Sequence, residues 1–104
     1  MKRDLSKEHF KQVLNEIMDQ VFEGKGEERH GHGASFEDQP WVEITKNVGI
    51  GFPVGQALKK LMELRSFENN LSAWEREAYG TGVYVVMSIM FKQYEEEIKR
   101  QGKS

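Results

Sequence analysis

The C-terminal third of the chain constrains the fold most. From Ser72 to about Gln101 there is no proline, and Ser72-Ala-Trp-Glu75 has the form of a capping box that opens a helix. Such a helix would be about 42 Å long, more than the ~30 Å across a small domain. Its far end is therefore expected to project or to pack on another subunit. The middle, Val83-Tyr-Val-Val-Met-Ser-Ile-Met-Phe91, is apolar on nearly every side, as in a helix buried by several neighbours. Val, Ile, Tyr and Phe also favour strands, which is the rival reading of this run. No second segment alternates with period two to pair with it, so the helix is preferred. Gly80 and Gly82 each cost about 1 kcal/mol inside a helix relative to alanine, which calls for a tight helix crossing or a kink. The tail, residues 100–104, reads as solvated.

The rest of the chain supplies shorter partners. Asp4 or Ser6 can cap a first helix over about residues 5–23. Its Phe10, Val13, Leu14, Ile17, Met18, Val21 and Phe22 recur every three or four positions as a core stripe. Gly24 ends it, and Gly26, Gly31 and Gly33 keep residues 24–35 as a long Gly/His-rich loop. Ser35 or Asp38, ahead of Pro40, starts a short second helix that carries Trp41, Ile44 and Val48 toward the core, and Gly49 stops it. A third helix is expected at about 53–67, with Val54, Ala57, Leu58, Leu61, Met62 and Leu64 inward and Lys59, Lys60, Glu63 and Arg65 polar. The expectation is all-α: a compact bundle of about four helices in one domain, residues 1–104, with a long C-terminal helix.

Composition narrows the function. Fifteen Lys and Arg against 17 Asp and Glu give a formal charge of −2, without the basic excess of a DNA or RNA binder. No stretch of 18 apolar residues and no leader pattern is present, so neither a membrane partner nor secretion is expected, and the location is read as cytoplasmic. The absence of cysteine excludes thiolate metal sites and a cysteine nucleophile; a metal would need His, Asp and Glu.

Candidate chemistry concentrates between Arg29 and Arg65. His30 and His32 form an H-x-H pair that can put two imidazoles on one metal in extended backbone, with His9, Glu27, Glu28 or Asp38 as further ligands. The same loop can be simply solvated, or Arg29, the imidazoles and glycine N–H groups can close over an anion. Lys59, Lys60 and Arg65 could supply cations, while Gln39, Trp41, Gln56 and Tyr79 could hydrogen-bond to or stack on a base.

Arg29-His30-Gly31, Trp41, Lys60-Leu-Met-Glu-Leu-Arg65 and Glu77-Ala-Tyr-Gly80 together resemble a pattern of small helical proteins common in bacteriophage genomes, over about residues 29–91. That group is similar in turn to the all-α MazG-type nucleotide pyrophosphohydrolases, oligomeric enzymes that bind nucleoside triphosphates through magnesium. The resemblance implies a phage-type oligomer, joined through its C-terminal helix, that binds a nucleotide-like anion, with sequestration of a host-defence nucleotide signal as one use. Those enzymes hold metal with E-E-x-x-E and E-x-x-D; here Glu63 stands alone on the third helix, and the fourth offers Glu75 and Glu77. Binding without turnover and without a cofactor is the leading expectation. The alternatives are a module that inhibits a host protein and a divergent magnesium-dependent pyrophosphohydrolase using Glu63, Glu75 and Glu77. Among metal candidates, His30, His32, Glu63 and Glu77 are the ones to locate.

Overall fold

The computed structural model describes residues 3–22 and 38–102. They form four α-helices: α1 (Lys7–Phe22), α2 (Pro40–Val48), α3 (Gly51–Glu63) and α4 (Leu71–Gly102). A 3₁₀ turn, Leu64–Phe67, lies between α3 and α4. Every regular element among the described residues is helical, and the 83–91 run is helix, so the strand reading is not realised.

Local chemistry sets the boundaries. Ser6 caps α1: its Oγ accepts the His9 backbone N–H at 3.2 Å, while Asp4 Oδ1, two residues ahead, accepts the Ser6 N–H at 3.1 Å. At α2 the cap position belongs to extended Gln39, whose side chain makes no capping bond, and Pro40 presets the first turn. Asp38 is thus not the cap, and Ser35 lies outside the described residues. Gly49, at φ +90°, terminates α2 by donating its N–H to Thr45 O at 2.7 Å, a conformation open to glycine at little cost. The segment expected as one helix over 53–67 tightens into the 3₁₀ turn for its last four residues. The α4 cap is Asn70 and not Ser72: Asn70 Oδ1 accepts the Ala73 N–H at 3.1 Å, and Ser72 falls inside the first turn.

The packing is antiparallel on α4 from two sides. Lys60 of α3 meets Glu77 and Phe52 meets Tyr84, edge-on at 6.3 Å, so α3 descends as α4 rises. On the other side Gln20 Nε2 donates to Arg76 O at 3.3 Å while Ile17 faces Gly82, which sets α1 in the same sense. The core is Trp41, Ala57, Val83, Tyr84 and Met87, with Ile17, Val21, Val42 and Phe52 packed against it. Phe91 is also buried, and Met87, only 1% exposed, sits at the centre.

Three expected core faces are realised only in part: Trp41, Ala57, Ile17 and Val21 reach the core and others do not. In α2 the inward arc is Trp41, Val42 and Thr45; Ile44 lies part of a turn away and Val48 is past the end of the core, and both are exposed. Thr45 is fully buried because its hydroxyl donates back to Trp41 O at 2.6 Å. Along α3 and into the 3₁₀ turn the inward face is Pro53, Ala57, Lys60 and Leu64, while Val54, Leu58, Leu61 and Met62 are each about half exposed. Ala57 belongs to the core, and the Lys60 stem lies along Gly80 of α4. In α1 only part of the stripe reaches the core; Phe10, Leu14, Met18 and Phe22 remain exposed.

Candidate functional site

The two glycines of α4 mark where its neighbours cross. A Cβ on Gly80 would sit 3.2 Å from Lys60 Cδ and Cε, and one on Gly82 would sit 3.1 Å from Ile17 Cδ1. Each glycine therefore admits one side chain of a packed helix, which is the tight crossing that the sequence called for. The Lys60 stem lies along Gly80 and brings Nζ to 3.2 Å from Glu77 Oε2; the two side chains are only 14% and 22% exposed. Shielded from water, this pair interacts more strongly than a surface ion pair would.

On the α1 side of the same helix turn, the Tyr79 hydroxyl donates to Glu16, and the Glu75 carboxylate lies 3.5 Å from it. Gln12 Nε2 also donates to Glu16, at 3.2 Å. Donation from Tyr79 and Gln12 holds the Glu16 carboxyl below its ordinary value. Burial, and then the two neighbouring carboxylates, push the Tyr79 phenol well above its own.

Arg29, His30 and His32, together with Glu27 and Glu28, lie outside the described residues. Gln39 and Trp41 are buried where α2 begins, 2% and 4% exposed, which places them in the core and away from solvent. On α3, Lys59 is exposed, Gln56 is half-buried and Lys60 is engaged by Glu77, while Arg65 is exposed in the 3₁₀ turn. Lys60 packs on the α3 side of α4 and Tyr79 on its α1 side, so these candidates face different neighbours. Glu63 is exposed, and no three His, Asp or Glu among the described residues are grouped to hold a metal ion.

Two features stand out that those candidates do not include. The first is an open groove of about 420 Å³ between the end of α2 and the last turns of α4, lined by Lys46, Phe91, Tyr94, Glu95, Ile98 and Lys99. Lys46 Nζ lies 5.5 Å from the Tyr94 ring centroid, a cation–π distance, and the Phe91 and Tyr94 rings meet at 5.6 Å, tilted by 40°. Nothing in local sequence joins Lys46 to Tyr94, because only the packing of α2 on α4 does. The second is the outward side of α4. Val83, Tyr84, Met87 and Phe91 point inward, whereas Val85 and Ile89 outward, and Val86 and Met90 on the side that α1 takes lower down, are 42–53% exposed. Leu71 and Trp74 continue that surface toward the start of the helix. No helix among the described residues is long and apolar enough to cross a membrane.

Comparison with protein families, with curated proteins and with solved structures finds no match for this chain.

Proposed function

We propose that the chain is a helical protein-interaction module whose working form is a homo-oligomer. The observation that carries this reading is the outer half of the α4 run, Val85, Val86, Ile89 and Met90, each about half exposed while the inward half is core. Contiguous apolar patches of a few hundred Å² on a soluble chain generally mark a contact with another chain. The exposed faces of α3 and α1, carried by Leu58 and Met62 and by Phe10 and Met18, give the assembled form further surface for a different protein. Light scattering of the purified chain at micromolar concentration is expected to return a multiple of 12.1 kDa. Ile89→Glu should return the monomer mass with helicity retained. A wild-type monomer would refute the proposal.

A second reading, a nucleotide-like anion bound without turnover, gains support from the groove and not from the α3 edge. Lys46 and Lys99 supply cations beside the Tyr94 ring, the combination that a phosphate-bearing aromatic ligand uses. Incubation with nucleoside triphosphates and cyclic dinucleotides plus magnesium, followed by washing, heat release and mass spectrometry, tests it. Intact nucleotide that is retained by the wild type and lost in Lys46→Ala supports the groove. Cleaved products would favour the enzyme alternative, and retention undiminished in Lys46→Ala would remove the groove from the reading.

A further inference from the structure

The open arc of α4, between the sides taken by α1 and α3, carries Leu71, Trp74, Ala78, Val85, Ile89 and then Lys92. Their spacings are 3, 4, 7, 4 and 3, the same read from either end. At 100° per residue these six positions fall within about a sixth of the helix circumference. Tyr79 and Gly82 face α1. Glu77, Gly80 and Tyr84 face α3. Leu71, Trp74, Val85 and Ile89 are exposed between those two sides, Ala78 at the middle of the arc is half-buried, and Thr81 at its edge is buried.

We infer that the occupant of this arc is the same arc of a second copy, running antiparallel. The inference rests on the oligomer proposed above and adds the surface and its direction. A two-fold axis midway between Thr81 and Gly82 lays Trp74 against the partner's Ile89 and Ala78 against the partner's Val85. Leu71 then lies along the stem of the partner's Lys92, whose ammonium stays in water.

Charge decides the direction. Parallel pairing in register would put Lys92 beside its own copy and Glu95-Glu96-Glu97 beside a second identical triplet, six carboxylates at one end of the pair. Antiparallel pairing separates the triplets to opposite ends and also opposes the two helix macrodipoles. The size of the arc fits as well. Its half-exposed apolar side chains present roughly 300–400 Å² per copy, the apolar centre of an interface of about 800 Å² per partner.

The chain contains no cysteine, so introduced thiols report on this geometry alone. Under mild oxidation the double variant Trp74→Cys/Ile89→Cys is expected to form covalent dimers, since the pairing brings each thiol to the other kind on the partner. Ile89→Cys alone should remain uncrosslinked, because the two copies of residue 89 are then about 22 Å apart along the helix. Retained helicity and wild-type mass under reducing conditions show that each variant still folds and assembles. Efficient crosslinking of Ile89→Cys alone would overturn the antiparallel direction in favour of the parallel one. An assembled double variant that forms no covalent dimer would overturn this surface while leaving the oligomer intact, whereas a wild-type monomer would overturn the oligomer itself.

Discussion

Replacement of Gly80 by alanine tests the crossing of α3 over α4 more directly than any deletion. Inside a helix the change should gain about 1 kcal/mol from propensity alone. The added Cβ, however, would lie 3.2 Å from Lys60 Cδ and Cε and 3.4 Å from Nζ. Carbon atoms prefer about 3.5–4.0 Å, so the stem must move by a few tenths of an ångström. It is not free to do so at no cost, because Nζ is 3.2 Å from Glu77 and both side chains are mostly shielded from water. A hydrogen bond to a charged group contributes about 1.5–3 kcal/mol, and losing half of it cancels the propensity gain. Gly80→Ala should therefore be neutral, or destabilise by up to about 1 kcal/mol, in the wild-type background. In a Lys60→Ala background it should stabilise by the full ~1 kcal/mol, a coupling of about 1–2 kcal/mol. Urea unfolding of the four proteins of the cycle, at one fixed chain concentration so that the proposed assembly would contribute equally to each, measures this coupling. Equal stabilisation by Gly80→Ala in both backgrounds would show that Lys60 does not occupy the space at Gly80, and the account of the crossing would fail.

Met87→Ala empties the centre of the core and should cost about 2–5 kcal/mol, seen as a fall of at least ~10 °C in the thermal midpoint; a loss under about 1 kcal/mol would contradict the position of the core. Asn70→Ala should cost about 1 kcal/mol through loss of the α4 cap while Ser72→Ala changes stability by only a few tenths, and the reverse order in chemical denaturation would restore the capping box. The Glu16–Tyr79 contact predicts a two-sided pH profile. Glu16 is held below its ordinary 4.5, so its contribution is complete above that pH and is lost as pH falls through the lowered value. Tyr79 is raised above its ordinary 10.0, so its contribution is complete below pH 10 and is lost as pH rises toward the raised value. Tyr79→Phe should flatten both limbs of a stability-against-pH curve, and limbs unchanged in that variant would remove the contact from the account.

The helices were legible because their punctuation is local. Gly49, Pro40 and the proline-free run after Asn70 act within a few residues, and periodicity supplied the rest. The orientation of α3 was legible only in part. Of the expected inward face, Val54, Ala57, Leu58, Leu61, Met62 and Leu64, only Ala57 and Leu64 turn in, on a stripe shared with Pro53 and Lys60. That stripe faces inward because Gly80 opens room for the Lys60 stem and Glu77 neutralises its charge. Seventeen residues separate that pair, and no window of sequence contains the reason. The site suffered from the same blindness. Lys60 read as a free cation because its partner is on another helix, and Tyr79 read as a stacking surface although its hydroxyl is given to Glu16. Trp41 and Gln39, polar or aromatic beside a proline turn, look like ligand contacts by type and are core by position.

The apolar run of α4 has a consequence for how far assembly can go. Among the described residues α1 and α3 take the sides of α4 on which Gly82 and Gly80 admit them, and the proposed pairing would use the arc between those sides. An open arc that matched a different surface on the next copy would propagate without limit, as head-to-tail contacts do unless their rotation closes. The stripe at 71, 74, 78, 85, 89 and 92 reads the same in both directions, and such a surface is its own complement about a two-fold axis. Pairing on it consumes the whole arc in one step and leaves no free copy of it at either end. Two protomers joined this way carry their α1 and α3 faces outward, on both sides of the pair. Growth beyond the proposed dimer would then have to come from those faces, where Phe10, Leu58 and Met62 stand exposed, and a substitution on α4 would change the pairing without touching the later contact.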